Sequence, residues 1–228
     1  KIINFCKNSN HIDLKCLSVH IGSQILDYRP YEKMLRAVSI ILKKVNHNFE
    51  FIDLGGGMGI AYSNNDKKLN YKKYNIAILK FLKSHNTKII FEPGRSIIGD
   101  TGILITKVVY IKDSERKKFI ILDAAMNDLM RPALYGATHK TLPVIKSNKI
   151  SKKIYEFVGP ICESTDRFLT LNKFQELKEK DLIAICDVGA YGMSLSSNYN
   201  LRLKPAEILI KGSKVKVIKK RQKYSDLI

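Results

Sequence analysis

Apolar and polar positions follow two different patterns along this chain, and the change falls near residue 100. In the first part, short apolar runs at 17–21, 49–54 and 88–91 alternate with longer stretches of helical spacing. Residues 30–45 open with Pro30 near a first turn and place Leu35, Val38, Ile41 and Leu42 on one face. Residues 70–83 do the same with Tyr74, Ala77, Ile78, Phe81 and Leu82. A period near 3.6 between brief β-type runs predicts strand–helix–strand–helix–strand, and the short connections imply parallel pairing.

Beyond residue 100 strands are expected at 103–111, 118–123, 153–158, 181–188 and 206–210, with only 172–179 briefly helical. That pattern predicts an antiparallel β domain, a barrel or sandwich. The run from Lys211 to Lys223 alternates lysine with Val and Ile, as an edge strand with a solvated face would. The division is therefore 1–100, α/β, and 101–228, all-β. Three parallel strands alone would leave an edge of unpaired main-chain groups. The first part is accordingly expected to be a portion of a (β/α)8 barrel, with the chain beginning partway round it. No internal repeat or low-complexity segment interrupts either part.

The chain has 228 residues, 45% hydrophobic and 27% charged, which suits an ordinary soluble globular protein. No apolar run approaches the ~20 residues of a membrane span, and there is no signal-peptide core. The formal net charge is +19. The lysines are scattered among Ile and Asn, without the clustered Arg and interleaved aromatics of a nucleic-acid surface. That scatter argues against a nucleic-acid partner, while the excess charge suits attraction of anionic substrates or cofactors towards a cleft. Cysteines 6, 16, 162 and 186 form no CxxC pair and no metal-like spacing with the five histidines, so reduced thiols in a cytoplasm and no bound metal are expected.

Candidate chemistry collects at the ends of the predicted parallel strands, where α/β proteins bind ligands. Gly55-Gly56-Gly57 after Asp53-Leu54 permits backbone amides to approach a phosphate closely; a ligand-free tight turn is the alternative. A methyltransferase-type glycine motif would want an acidic residue ending the next strand about 20 residues on, and the next strand here ends only at Glu92. His20, on a strand read as buried, is either a ring-stacking imidazole or a core histidine. Glu92 is read as a buried carboxylate at the end of Ile89-Ile90-Phe91, which would require a cation such as Arg95 or a protonated pyridine nitrogen. Arg131-Pro132-Ala133-Leu134-Tyr135 sets a planar cation near a phenol, which suits a carboxylate or a surface ion pair. Cys162-Glu163-Ser164 follows Gly159-Pro160, and Tyr191 lies in Gly189-Ala190-Tyr191-Gly192. Cys162 is a reactive or a structural thiol, and Tyr191 a phosphate donor or a packed ring.

In order and spacing these motifs, with Ser18-Val19-His20-Ile21-Gly22-Ser23-Gln24 and Glu92-Pro93-Gly94-Arg95, resemble the alanine-racemase-like (fold type III) pyridoxal-phosphate decarboxylases, diaminopimelate decarboxylases most closely. The likeness extends through Asp123-Ala124-Ala125-Met126-Asn127-Asp128-Leu129 and Ser197-Asn198-Tyr199-Asn200. It implies that His20 stacks on the cofactor ring, that Ser23, Gly55, Gly56, Gly57 and Tyr191 hold the phosphate, and that Glu92 pairs with the pyridine nitrogen. It implies too that Arg95, Arg131 and Tyr135 clamp the distal carboxylate of meso-diaminopimelate, with Glu163 on the distal ammonium. Cys162 would be the proton donor or a stereochemical guard, entering from the partner of a homodimer with shared sites. The implied reaction yields L-lysine, the last step of lysine biosynthesis. Ornithine and arginine decarboxylases of this fold read Cys-Asp-Gly where this chain reads Cys-Glu-Ser; carboxynorspermidine decarboxylases are further cousins.

One departure stands out. The family's cofactor lysine lies upstream of the His-Ile-Gly-Ser motif in an Ala-Val-Lys-Ala-like setting, and neither Lys7 nor Lys15 has that context. The expectation is a downstream part of a decarboxylase, inactive in isolation; the alternative is a non-catalytic relic that binds phosphate ligands.

Overall fold

The computed structural model describes residues 1–63 and 65–228. The chain divides into two compact units, Lys1–Ile98 and Gly99–Ile228. The first runs α1 (Ile2–Lys7), β1 (Cys16–Ser18), α2 (Arg29–Lys44), β2 (Phe51–Asp53), α3 (Tyr71–Ser84), β3 (Lys88–Ile90) and α4 (Arg95–Ile98). Its strands form one all-parallel sheet in the order β1-β2-β3. The two long helices form as the spacing predicts. Pro30 sits in the first turn of α2, with Glu32 there and Lys43 and Lys44 in the last turn, complementing the helix dipole. Asn70 caps α3 by accepting a hydrogen bond from the Lys73 amide at 3.0 Å. Leu35 and Val38 of α2, Tyr74, Ile78 and Phe81 of α3, and Ile52 of β2 close one core. The outlier is Ile41, which is 44% exposed.

The second unit contains β4 (Ile103–Asp113), β5 (Lys117–Leu122), α5 (Arg131–Tyr135), β6 (Thr141–Pro143), β7 (Ile154–Val158), β8 (Arg167–Leu171), β9 (Leu182–Cys186), β10 (Glu207–Lys211) and β11 (Lys214–Lys219). Six strands pair in the order β6-β9-β4-β5-β7-β8. Val108, Ile120, Leu122, Phe157, Ile183 and Ile185 are buried together on this sheet.

Two expectations need correction. The sheet is mixed rather than antiparallel, because β5 and β7 run parallel. Antiparallel neighbours can follow a tight turn, but a parallel pair needs a long return, and residues 123–153 provide it. Residues 172–179 are not helical; they follow β8 as an irregular segment in which Gln175 bridges Ile150. The lysine-rich end does form a strand, but β11 pairs with β10 in a separate two-stranded sheet. Among the described residues no helix is long and apolar enough to cross a membrane.

Candidate active site

The parallel strands of the first unit stop level with one another, Ser18 beside Asp53 and Asp53 beside Ile90. Two residues past each stop stand His20, Gly55 and Glu92. The ladder continues past the strand ends: Val19 N–H donates to Asp53 O at 2.9 Å, and Glu92 N–H to Gly55 O at 2.9 Å. The buried Asp53 carboxylate locks this level, accepting from Ser18 Oγ at 2.9 Å and from the Gly55 amide at 2.8 Å. Asp53 and Ser18 were legible only as motif letters; their pairing depends on strand register.

The three glycines are each required by a neighbour. Gly55 has φ +63°, and a Cβ there would lie 2.8 Å from His20 Nδ1. On Gly56 it would meet the Glu92 carbonyl oxygen at 2.2 Å, and on Gly57 (φ +86°) the Gly22 carbonyl oxygen at 2.4 Å. From below, the fully buried Tyr31 donates its hydroxyl to Gly56 O at 3.2 Å. The Gly56 and Gly57 amides have no hydrogen-bond partner among the described residues. Adjacent unsatisfied N–H groups on a glycine turn can hold an anion's oxygens, so the loop fits a phosphate.

His20 and Glu92 differ from expectation. His20 lies beyond β1 and is exposed, so it is not a core histidine. Glu92 is also exposed. Its charge is therefore solvated and needs no internal cation. Arg95 is instead buried, donating from Nη1 to Tyr62 Oη and from Nη2 to Ser23 Oγ at 3.3 Å, with its guanidinium 5.7 Å from the Tyr62 ring centroid. His20, Ser23, the glycines, Glu92 and Arg95 thus gather at one end of one sheet. Tyr62 and Tyr31 are members that sequence reasoning missed, since neither stands in a motif.

In the second unit Arg131 and Tyr135 share α5. Tyr135 is 69% exposed, whereas Arg131 is buried, against its reading as a surface ion-pair residue. Arg131 Nη1 lies 2.8 Å from His139 Nε2, and His139 Nδ1 lies 2.9 Å from the Cys186 carbonyl oxygen. A carbonyl can only accept, so the proton is on Nδ1 and Nε2 accepts from Arg131. Cys162 and Glu163 are exposed on the turn between β7 and β8. Tyr199, not assigned a role from sequence, donates its hydroxyl to Glu163 Oε1. Tyr191 is 44% exposed and holds φ +59°, a left-handed conformation uncommon for a residue with a Cβ. Gly192 next to it is obligatory, since a Cβ would come 2.3 Å from Val188 O.

A family model described as "Pyridoxal-dependent decarboxylase, C-terminal sheet domain" matches residues 38–189. The diaminopimelate decarboxylase of Aquifex aeolicus is 38% identical over 232 residues, covering 100% of this chain and 55% of the relative. That of Zymomonas mobilis is 40% identical, covering 95% and 52%. Among solved structures, diaminopimelate decarboxylase from Helicobacter pylori complexed with L-lysine superposes with a TM-score of 0.90 at 40% identity, over 98% of this chain and 56% of that one. The chain spans about half the length of the curated relatives it matches. With the match running from α2 through β9, and both units covered by these relatives, the chain belongs to the pyridoxal-dependent decarboxylase family.

Proposed function

We propose that this chain is the downstream part of a diaminopimelate decarboxylase, converting meso-2,6-diaminopimelate to L-lysine and carbon dioxide. The observation that carries the reading is the level at which three adjacent strands end. It sets an imidazole, a glycine turn with two amides unpartnered among the described residues, and a carboxylate side by side. That trio suits pyridoxal 5'-phosphate. The first unit is then a section of a (β/α)8 barrel, and the second a β-barrel or sandwich domain, the enzyme working in the cytoplasm.

Bound pyridoxal phosphate supplies an electron sink for the carbanion left when carbon dioxide departs. Each residue has a separate part. The Gly56 and Gly57 amides, the Ser23 hydroxyl and the Tyr191 hydroxyl would hold phosphate oxygens, with the buried Arg95 cation behind Ser23. His20 would lie against the ring face. Glu92 would accept from the pyridine N–H and keep that proton in place. Arg131 and Tyr135, with Arg95, hold the substrate's distal carboxylate, Glu163 accepts from its distal ammonium, and Cys162 delivers a proton from the partner subunit of a homodimer. Arg131 is well prepared for this part, because His139 fixes one edge of its guanidinium.

The test uses the native protein in two measurements. Borohydride reduction with pyridoxal phosphate followed by intact mass should give a chain longer than these 228 residues, carrying a reduced cofactor adduct. Lysine formation from meso-diaminopimelate should exceed product formation from ornithine or arginine. A preference for ornithine or arginine would transfer the reading to those decarboxylases. A chain of this length that forms no adduct and no lysine would leave only the relic that binds phosphate ligands.

A further inference from the structure

Two runs that the substrate and cofactor assignments leave unused, 123–129 and 197–200, meet in the second unit and carry the Glu163 turn between them. Asn127 is fully buried. It donates from Nδ2 to Ser197 O at 3.2 Å, and its carbonyl accepts from the Ser197 amide at 3.0 Å. Arg202 Nε donates to Asn127 Oδ1 at 2.9 Å, and Asn198 Nδ2 to Arg202 O at 2.8 Å. The segment carrying Tyr199 is therefore tied to Asn127 at both ends.

The Glu163 turn is tied to the residue before it. The buried Asp166 carboxylate accepts from the Met126 amide at 2.7 Å and from the Ile161 amide at 2.8 Å, and the Asp166 amide donates to Glu163 O at 3.1 Å. A Cβ on Gly159 would lie 2.2 Å from Asp166 Oδ2, which explains the glycine that opens the turn. Two loops far apart in sequence thus hang from the adjacent residues Met126 and Asn127. Their meeting point is the bond from Tyr199 Oη to Glu163 Oε1.

We propose that Tyr199 is a positioning residue that sets preference for substrates carrying a distal ammonium, by holding the Glu163 carboxylate in one orientation. This rests on the reading of Glu163 as the ammonium's partner. An ionised carboxylate only accepts hydrogen bonds, so the phenol is the donor; Oε2 takes a long contact from Thr165 Oγ1 at 3.4 Å, and its remaining lone pairs face no other donor among the described residues, leaving them for –NH3+. A glutamate left free on an exposed turn would lose side-chain freedom when it captured the ammonium, weakening binding. Tyr199 removes that freedom before the substrate arrives. The same bond raises the Tyr199 phenol above its ordinary range, and the nearby Cys162 acts in the same direction.

The experiment is a double-mutant cycle in the native holoenzyme with meso-diaminopimelate. Tyr199→Phe should raise KM roughly five- to tenfold, the size of one net hydrogen bond, with kcat nearly unchanged. In a Glu163→Gln background it should add nothing. If Glu163→Gln raises KM but Tyr199→Phe does not, or if the Tyr199→Phe effect persists without the Glu163 charge, the positioning role is overturned while the Glu163 reading stands. An unchanged KM in Glu163→Gln alone overturns both. A readout without substrate accompanies the cycle. With 13C-labelled tyrosine, the resonance lost in Tyr199→Phe should titrate above the ordinary tyrosine range and return towards it in Glu163→Gln; an indifferent titration overturns the bond itself.

Discussion

The carbonyl oxygen of Glu92 occupies the space a side chain on Gly56 would need, 2.2 Å from the position of that Cβ. Strand β3 and the glycine turn can approach this closely only because residue 56 has no Cβ. The same approach brings the Glu92 backbone against the turn whose Gly56 and Gly57 amides have no partner among the described residues.

The first prediction follows directly. Gly56→Ala must push either the turn or the Glu92 backbone aside, and overpacking of this kind costs about 1–3 kcal/mol. Because the displaced element carries two phosphate-type donors, binding of pyridoxal phosphate to the 228-residue chain should weaken together with stability. Denaturant unfolding and cofactor titration of the same sample check both. Gly136→Ala, where no atom lies within 4 Å of the new Cβ, controls for a glycine whose φ is +61° but whose space is open.

The second concerns two stacked tyrosines, their ring centroids 4.5 Å apart. Tyr31 donates its hydroxyl to Gly56 O, whereas the buried Tyr74 hydroxyl has no partner among the described residues. Burial pushes the phenol of Tyr74 up to about 12 and that of Tyr31 up as well. Tyr31→Phe should cost about 1 kcal/mol, and Tyr74→Phe should be neutral or stabilising, since it removes an unsatisfied polar group. Equal losses in the two variants would contradict this asymmetry.

Much of the first unit is legible in its sequence, because helical periodicity and strand-ending glycines are local signals. The second unit is less so. Nothing in residues 117–122 or 154–158 states that they pair in parallel; that depends on where the chain goes between them. Site residues divide in the same way. His20, Gly55 and Glu92 stand in short motifs, but the bracing by Tyr31, Tyr62 and Asp166 arises from contacts across 25, 33 and 40 positions. Glu92 is exposed although the apolar run before it predicts burial, because β3 stops two residues earlier.

The third prediction concerns pH. The Lys117 ammonium, and beyond it Arg167, hold the Glu156 carboxyl below the usual carboxylate range. A carboxyl whose pKa is lower folded than unfolded contributes stability above its unfolded value of about 4.3, and loses it as pH falls through the folded value. Glu156→Gln should therefore be less stable than the parent near pH 7, with the difference closing under strongly acidic conditions. Both cations are partly exposed, so the neutral-pH gap should stay below about 1 kcal/mol. Unfolding curves at pH 7 and at successively lower pH decide it; a gap that does not narrow as pH falls would assign the effect to packing.

The fourth separates binding from folding at Arg131. Removing this buried cation takes away its hydrogen bond to His139 Nε2, a charge-assisted bond worth about 1.5–3 kcal/mol. Arg131→Ala should thus lower the melting temperature of the 228-residue chain in the absence of any ligand. In the native enzyme KM for meso-diaminopimelate should also rise. Substituting His139 by Phe should reproduce the stability loss with a smaller change in KM, since the guanidinium remains. An Arg131→Ala enzyme of unchanged KM would return this residue to a purely structural part.

Glu92→Ala tests the chemistry with the least disturbance to the fold. The side chain is exposed, and the contacts that fix the segment are made by its backbone: its amide donates to Gly55 O, and its carbonyl lies against Gly56. None of these is lost on truncation, so the melting temperature should be unchanged. Nor should the cofactor be lost, because in the proposed site the glycine turn and Ser23 would hold its phosphate. What would disappear is the acceptor proposed to keep a proton on the pyridine nitrogen. Without that proton the ring accepts electrons poorly, and decarboxylation should fall by about 10²–10³, as when one preorganised electrostatic group is removed from a site. The decisive comparison is cofactor content by absorbance against lysine formed per minute. Retained cofactor with lost turnover assigns Glu92 to the reaction, and retained turnover removes it.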